Sequence, residues 1–518
     1  MSRGTLTALQ MWQQYRDEAV VRKSEQFATF TLGSTMVDPL NVSNQTVQHD
    51  FQSVGALLTN NLTAKLVASL FPSGVPFFKN MPSKTLLAAA VEQSINEQEV
   101  NNMLARLDRE ATERLFVQAT TAKLTRLLKL LIITGNALAY RDPKTGKMTV
   151  WSIRSYVVRR AADGEFRHVV LKQIMRFDEL PEHVQADYTA KKPGQYKPDR
   201  MMDYFTVIEK QPGAVNKRVV VWNEIDGLRV GPESSYPEHL APWIVTVWNL
   251  ADGEHYGRGL VEDFTGDFAK VSLVSEQLGL YELEALSLLN VVDESAGGVI
   301  DEYQESDTGD YVRGKTAAIT SYERGDYNKI NAVRESIGEV IQRLSMAFMY
   351  TGNTRQAERV TAEEIRAVAK EAESTLGGVY SLLAETLQGP LAYLCMADVA
   401  DDLMMGLVTK QYKPVILTGI PALSRAVEMQ NLLAATQEIA AIVPALTQLD
   451  TRVDGSKVAD LIYNSRSVDV SRIFKEPEVI AAEAEAKAQA AAQAQEGAQA
   501  AMLGAGATVN EGIEGLTQ

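Results

Sequence analysis

Residues 203–211 read DYFTVIEKQ and residues 218–225 read RVVVWNEI. Both runs are rich in β-branched and aromatic residues and change character with a period of two, which marks them as strands. The same signature recurs on either side, in KMTVWSI (147–153), SYVVRR (155–160), HVVLKQIMRF (168–177) and WIVTVWNL (243–250). Turn signals such as Lys144-Thr145-Gly146 and Asp163-Gly164 separate the runs. Residues from about 137 to 250 therefore predict an antiparallel sheet of meandering hairpins.

Helices flank this block. In VGALLTNNLTAKLVASLFPSG (54–74), Leu58, Leu62, Leu66 and Leu70 recur every four residues, and Pro72 and Gly74 stop the pattern. A second helix, LFVQATTAKLTRLLKLLIITGN (115–136), ends at Gly135-Asn136 and reads as core. The opening MSRGTLTALQMWQQYRDEAVVRKSE (1–25) reads as an amphipathic surface helix rather than a leader. Beyond GEHYGRG (253–259), the stretch LVEDFTGDFAKVSLVSEQLGLYELEALSLL (260–289) runs as a helix of about 30 residues. NAVRESIGEVIQRLSMAFMY (331–350) places Val333, Ile337, Ile341, Leu344 and Phe348 on one face, and some 40 residues of short strands and turns, 291–330, lie between the two helices. After a polar loop, TGNTRQAERV, a long helix starts at the capping box Thr361 and Glu364. Its apolar face is Ile365, Val368, Ala372, Leu376, Val379, Leu383 and Leu387, and the pair Gly377-Gly378 permits a kink. Further helices follow to about 475. Residues 481–502 hold 12 alanines in 22 positions, a tail that either packs on copies of itself or stays mobile. Helices followed by a block of strands indicate an α+β fold, mainly α, and not the alternation of a doubly wound nucleotide fold.

Composition narrows the function. Of 518 residues, 45% are apolar and 23% charged, an ordinary globular balance. The net charge of −15 argues against a protein built to grip DNA, because grip comes from Lys and Arg neutralising phosphates. A single cysteine, Cys395, excludes an intrachain disulfide and reads as buried rather than reactive. His49, His168, His183, His239 and His255 show no metal-ligand spacing, so neither a zinc site nor a cofactor is expected. No apolar run reaches the roughly 18–20 residues of a membrane span, and a soluble, cytoplasmic type of chain without a membrane partner is expected.

One motif offers enzyme chemistry. Residues 309–316, GDYVRGKT, satisfy the phosphate-loop pattern, in which backbone N–H groups cradle phosphates, the Lys reaches the terminal phosphates and the Thr holds Mg²⁺. That loop must follow a buried strand and open a helix. Here DEYQESDT (301–308) precedes it with four carboxylates in eight positions, and AAITSYERGDY (317–327) alternates like a strand. Asp293 in NVVDE, the candidate Mg²⁺ carboxylate, lies before the loop. The motif is therefore read as a coincidence. There is no Gly-x-Ser-x-Gly elbow, and no isolated carboxylate pair in an apolar run.

Charge is concentrated elsewhere. Residues 261–345 hold 17 Asp and Glu against 7 Lys and Arg, a net of −10. Arranged in a ring, such a helix–insert–helix unit would make an acidic tube that repels a DNA backbone and lets it slide; taken singly it is a solvated arm. The loop that follows reverses the trend, with Arg355 and Arg359 facing only Glu358 among Asn353, Thr354 and Gln356.

The chain resembles the portal (head-to-tail connector) proteins of short-tailed, T7-like bacteriophages. The resemblance rests on NNLTAKLVASLFP, GNALAYRDP with SYVVRR, DGEHYGRG, RLSMAFM, and ERVTAEEIRAVAKEAESTLGGVYSLLAETLQGPL, which occur in the family's order across roughly residues 50–440. It implies a portal fold of wing, stem, clip and crown, assembled as a dodecameric ring at one capsid vertex of the virion after synthesis in the host cytoplasm. Carried onto this sequence, 1–258 would be wing, with part of the region after 361. Residues 259–290 and 331–349 would be stem helices, 291–330 clip, 350–360 a tunnel loop, 361–475 wing and crown helices, and 476–518 the Ala-rich tail.

The resemblance also implies partners. They are the terminase large subunit during packaging, tail adaptor and tube proteins afterwards, scaffolding protein and major capsid protein in assembly, and double-stranded DNA passing non-specifically through the channel. Asn353, Arg355, Gln356 and Arg359 become expected DNA-facing loop residues, although Arg355 and Arg359 could equally pair with Glu358 or Glu363. Arg313 and Lys315 become expected clip contacts, or plain solvated turn charges. Gly377 and Gly378 become the expected helix kink. No catalytic or metal residue is expected. The alternatives are a packaging ATPase using Lys315 and a structural scaffold or tail adaptor without a DNA channel.

Overall fold

The computed structural model describes residues 6–38, 49–72, 76–92, 97–118, 120–194, 197–211, 217–285, 288–292, 319–323, 327–350, 378–399, 412–416 and 436–441, and single positions Val47, Glu305, Ser374, Leu376 and Val458. The chain divides into two compact units, Met1–Leu423 and Ser424–Gln518. In the second unit residues 436–441 are helical.

The opening stretch forms two helices rather than one. α1 (Ala8–Tyr15) starts at Thr7, whose side chain accepts from the Gln10 N–H while the Gln10 side chain accepts from the Thr7 N–H. α2 (Glu18–Phe30) starts afresh at Asp17, whose carboxylate accepts from the Ala19 and Val20 N–H groups. α1 is amphipathic, as expected, with Leu9, Gln10, Gln13 and Gln14 exposed. Ala8 and Met11 are buried on one face of the sheet, against Val157, Val170, Phe205, Val207, Val220 and Trp222. α3 (Val54–Leu70) buries Leu58, Leu62, Leu66 and Leu70, as their four-residue spacing requires. A strand, β1 (Phe78–Pro82), and α4 (Lys84–Glu92) follow. The expected second helix is split between α5 (Glu97–Val117) and α6 (Thr120–Thr134). Gly135 closes α6 at φ +73, the left-handed conformation that costs glycine least.

The strand block makes two sheets, not one. β2 (Asn136–Arg141) lies between β3 (Met148–Trp151) and the distant β9 (Trp243–Val247), with Asn136 opposite Val247. β4 (Tyr156–Arg160), β5 (Phe166–Arg176), β6 (Met201–Lys210), β7 (Arg218–Ile225) and β8 (Leu228–Pro237) form the expected antiparallel meander, in sequence order. Both faces of the meander are covered. One carries α1, and the other contributes Val158, Val169, Leu171, Ile208, Val219 and Val221 to the main core shared with α3 and α6. An unexpected helix, α7 (Glu182–Lys191), caps the far end of the meander through Val184 and Tyr188, against Met202, Ile225 and Val230.

The chain then leaves the sheets through α8 (Leu260–Asp263) and α9 (Thr265–Ala285), runs into β10 (Leu288–Val292), and returns through β11 (Ile319–Glu323) and α10 (Tyr327–Ala347). The helix expected over 260–289 is thus interrupted at Phe264 and ends at Ala285; Leu288 and Leu289 belong to a strand. Further on, α11 (Val379–Leu383) and α12 (Gly389–Val399) are joined by a π-turn at Ala384–Gln388. Pro390 explains this turn. It has no N–H for the Thr386 carbonyl, and the wider turn spreads that gap over five residues. The start of the long helix expected from Thr361 lies outside the described residues, and β12 (Tyr412–Ile416) pairs antiparallel with β1, so the region expected to be helical to about 475 is not helical throughout.

Candidate functional site

The feature that departs from ordinary globular construction is the arm made by α9, α10 and the β10–β11 hairpin. Its root is a close packing of glycines. A Cβ on Gly135 would lie 2.3 Å from the Arg258 carbonyl carbon, one on Gly257 2.7 Å from the Gly135 carbonyl oxygen, and one on Gly259 2.7 Å from the Ile132 carbonyl oxygen. GEHYGRG therefore lies against the end of α6 at a distance only glycine allows. Asn136 fastens it there, its Nδ2 donating to the Gly257 carbonyl at 2.7 Å and its Oδ1 accepting from the Gly257 N–H at 2.7 Å. Leu260 and Val261 of α8 are buried in the core, and α9 springs from that anchor.

Along the arm, Phe268 and Val271 of α9, Ile337, Val340 and Leu344 of α10, and Phe348 just beyond α10 belong to the core. The Phe264 and Phe268 rings meet the Phe348 ring edge-on, at 6.2 and 5.7 Å. Arg343 grips Asp267 with two hydrogen bonds, at 2.9 and 2.7 Å, and Arg334 pairs with Glu282 at 2.7 Å. The hydrogen bonds from Arg343 hold the Asp267 carboxyl below its usual range, and those same bonds raise the Arg343 guanidinium. Lys270 Nζ adds a bond to Ser336 Oγ at 3.1 Å.

The opposite side of α9 exposes three leucines. Leu273, Leu280 and Leu283 are 60%, 57% and 68% exposed. With Ala269 and Glu276 they follow a four-then-three spacing, the seam a helix presents to another helix. At the tip, β10 pairs antiparallel with β11, Leu288 opposite Glu323 and Val292 opposite Ile319. The residues that would open the docking helix of a phosphate loop, from Ile319 on, therefore form a returning strand.

At the other end α10 closes in an unusual way. The Tyr350 N–H donates to the Ser345 carbonyl at 2.7 Å and the Met349 N–H to the Met346 carbonyl at 3.1 Å. This is the Schellman pair of bonds, and Met349 occupies its left-handed position at φ +55, where glycine is usual. Asn61 Nδ2 donates to the carbonyls of Phe348 and Met349, at 3.3 and 3.2 Å, and Lys65 Nζ to that of Met349 at 2.6 Å.

The model of the bacteriophage head to tail connecting protein family matches residues 7–473. The chain belongs to that family. It is 50% identical over 479 residues to the portal protein of Pseudomonas phage phiKMV, covering 92% of this chain and 94% of that one. The portal proteins of Enterobacteria phage T3 and Escherichia phage T7 are 29% and 28% identical, each covering 87% of this chain and 84% of the relative. Among solved structures, a chain from the neck of an empty gene transfer agent particle aligns at TM-score 0.39 with 11% identity, over 79% of this chain and 90% of that one. So distant a likeness adds nothing to the assignment. The resemblance to T7-like portals read from the motifs is confirmed by the three phage relatives.

In this head-to-tail connecting protein the expected site residues are unevenly placed. Asn353, Arg355, Gln356, Arg359, Arg313, Lys315 and Gly377 lie outside the described residues, as does GDYVRGKT itself. Gly378 stands at the N-terminus of α11 with right-handed helical angles, φ −65 and ψ −9. Cys395 is fully buried, as expected, and burial pushes its thiol up to about 11. Sequence reasoning missed what surrounds it. Arg141, itself buried, donates to Cys395 Sγ at 2.9 Å and to Gln118 at 3.0 Å, and its guanidinium lies 2.5 Å from Asp398. Burial outweighs that guanidinium and holds the Asp398 carboxyl above its usual range. The described boundaries also divide the acidity. α8 and α9 over residues 260–285 carry a net −5, whereas α10 over 327–347 carries +1. Among the described residues no acidic, His or Cys group is arranged to hold a metal, and no helix is long and apolar enough to cross a membrane.

Proposed function

We propose that this connecting protein is a phage portal: a homo-oligomeric ring, dodecameric, set at one capsid vertex, through which double-stranded DNA is packaged and later ejected. The 50% identity to a portal protein across nearly the full length of both chains supports that role. The observation that carries the ring is the leucine seam of α9. Three leucines more than half exposed, spaced for a helix partner and turned away from α10, are covered when the same arm of the next copy packs alongside.

On this reading residues 1–258 are wing, 259–290 and 331–349 the stem region, 291–330 the clip, 350–360 the tunnel loop, 361–475 wing and crown, and 476–518 the tail. The clip, with Arg313 and Lys315, meets the terminase large subunit during packaging and tail adaptor proteins afterwards. Scaffolding protein and major capsid protein engage the assembling ring in the host cytoplasm. Arg355 and Arg359, with Asn353 and Gln356, touch the DNA backbone from the tunnel loop. The protein performs no catalysis; ATP turnover belongs to the docked motor, and Lys315 has no nucleotide to bind. A net charge of −15 suits a conduit that DNA slides through and does not stick to.

The test is light scattering of the purified protein together with electron-microscope class averages. A ring with a central hole and a mass near twelve copies of the 56.9 kDa chain is expected. A closed assembly without a hole, or a chain that stays monomeric at high concentration, would sink the reading.

A further inference from the structure

Met349 is an odd residue for its post. A left-handed helix terminus normally takes glycine, because any Cβ crowds the following carbonyl. Met349 is held there from two sides. Its side chain is 2% exposed, packed in the main core, and its carbonyl accepts from both Asn61 and Lys65 of α3. α3 is a firm reference. Four of its leucines are buried, and at Gly55 it approaches the Phe30 carbonyl so closely that a Cβ would sit 2.1 Å from the oxygen. Just before α3, Asp50 accepts a hydrogen bond from Ser272 Oγ of α9, and Gln52 steadies Asp50 with a bond of 2.7 Å. One stretch, Asp50–Lys65, thus grips both helices of the arm, α9 near its middle and α10 at its last carbonyls.

We propose that Asn61 and Lys65 are positioning residues that lock the end of α10 in its left-handed turn, so that the body of the protein, and not the arm, sets the direction in which the chain leaves Tyr350. A carbonyl at a helix end carries partial negative charge, and an ammonium is the donor best suited to hold it. The functional weight of this lock rests on the proposed role of residues 350–360 as a tunnel loop; the lock itself does not.

Hydrogen exchange of the assembled full-length protein tests it, because the Met349 and Tyr350 amides are the donors of the turn. In Asn61→Leu with Lys65→Met, exchange at Met349 and Tyr350 is expected to rise about tenfold or more, while amides of residues 333–344 keep their wild-type rates. Lys65→Met alone gives a smaller rise, and Lys65→Arg, which keeps a cationic donor, restores most of the protection. If the double variant fails to assemble, Lys65→Met carries the test with the same expected direction. Unchanged exchange at Met349 and Tyr350 in either variant would overturn the lock. The same variants are then scored for DNA-filled heads. Faster exchange with fewer filled heads supports both lock and tunnel loop; faster exchange with normal filling supports the lock and removes the tunnel-loop role.

Discussion

The body and the arm of this protein are built on opposite rules. In the body, both faces of the five-stranded meander carry packed neighbours, and two buried charged side chains are tied down: Arg141 to Asp398, Gln118 and Cys395, and Glu224 to the Ala8 N–H at 2.7 Å and the Trp222 indole at 2.9 Å. In the arm, α9 buries one face against α10 and exposes leucines on another. The arm leaves Leu273, Leu280 and Leu283 open to another helix. The difference locates the proposed contact between copies at the exposed leucines of α9 and not on the covered sheet.

The sharpest way to break this comparison is to spoil the seam alone. Leu273→Asp with Leu280→Asp places two charges where a helix partner is expected. In the isolated chain both positions are exposed, so thermal stability should change by no more than about 0.5 kcal/mol per site. Ring formation should be abolished, seen as loss of the high-mass species in light scattering. A ring that survives both charges would place the subunit contact elsewhere.

The body should respond the other way, with a large loss of stability and no specific effect on contacts between copies. Arg141→Met removes the buried guanidinium and leaves Asp398 without its counter-ion. Breaking a buried pair from one side costs about 3–5 kcal/mol, so a fall of several degrees in melting temperature is expected. Adding Asp398→Leu should recover a good part of it, because the stranded charge, not the missing bond, is the larger cost.

These two halves were not equally legible. The meander follows directly from β-branched runs between turn signals, and its strand order is simply the order of the chain. The pairing of β2 with β9 does not, because strands roughly a hundred residues apart find each other through the core they share and not through any local pattern. The arm's helices were readable from their apolar faces, but Leu288 and Leu289 extend the helical pattern into what is strand; short apolar runs fit either period. α7 carried a usable signal, Pro181 followed by strong helix formers, and the π-turn carried another in Pro390. The exposed seam was in plain view as a four-then-three spacing, yet periodicity alone cannot tell which apolar face a helix will leave uncovered. The Asn61 and Lys65 contacts had no sequence signal at all, since both partners lie nearly 300 residues away.

A third prediction separates body from arm by pH. Asp108 on α5 accepts from the Asn80 N–H at 3.1 Å and from Asn80 Nδ2 at 2.5 Å, holding β1 in place. Burial nevertheless raises its carboxyl to about 6, the Asn80 bonds and nearby Lys79 recovering only part of the shift. A carboxyl whose folded value lies above its unfolded value of 3.8 keeps the folded state more protonated between the two, so its contribution to stability falls as pH rises from 4 to 6 and is level above that. The full span is at most about 3 kcal/mol. Melting curves of wild type and Asp108→Asn across that window should converge or cross as pH rises, wild type losing ground; parallel curves would show that Asp108 titrates normally.

The smallest effect tests the seam between body and arm, at Met349. Replacing it by glycine relieves a left-handed residue, worth about 1 kcal/mol, but strips a buried side chain from the core, worth about 2 kcal/mol or more. Burial should win, so Met349→Gly should destabilise by about 1 kcal/mol, a shift of only a degree or two in a chain of this size. The sign is what matters. A net loss means that methionine is at the turn because its side chain belongs to the core, which makes the end of α10 part of the body even though the helix itself belongs to the arm. A net gain would mean that the strain outweighs the burial and is stored in the turn, held there by Asn61 and Lys65 against its own preference. In that case the two donors would be restraining a turn that glycine would make without help, and the Asn61→Leu change should cost less in the Met349→Gly background than in wild type. If burial wins, the cost of Asn61→Leu should be the same in both backgrounds, because the core and the hydrogen bonds then act on the turn independently.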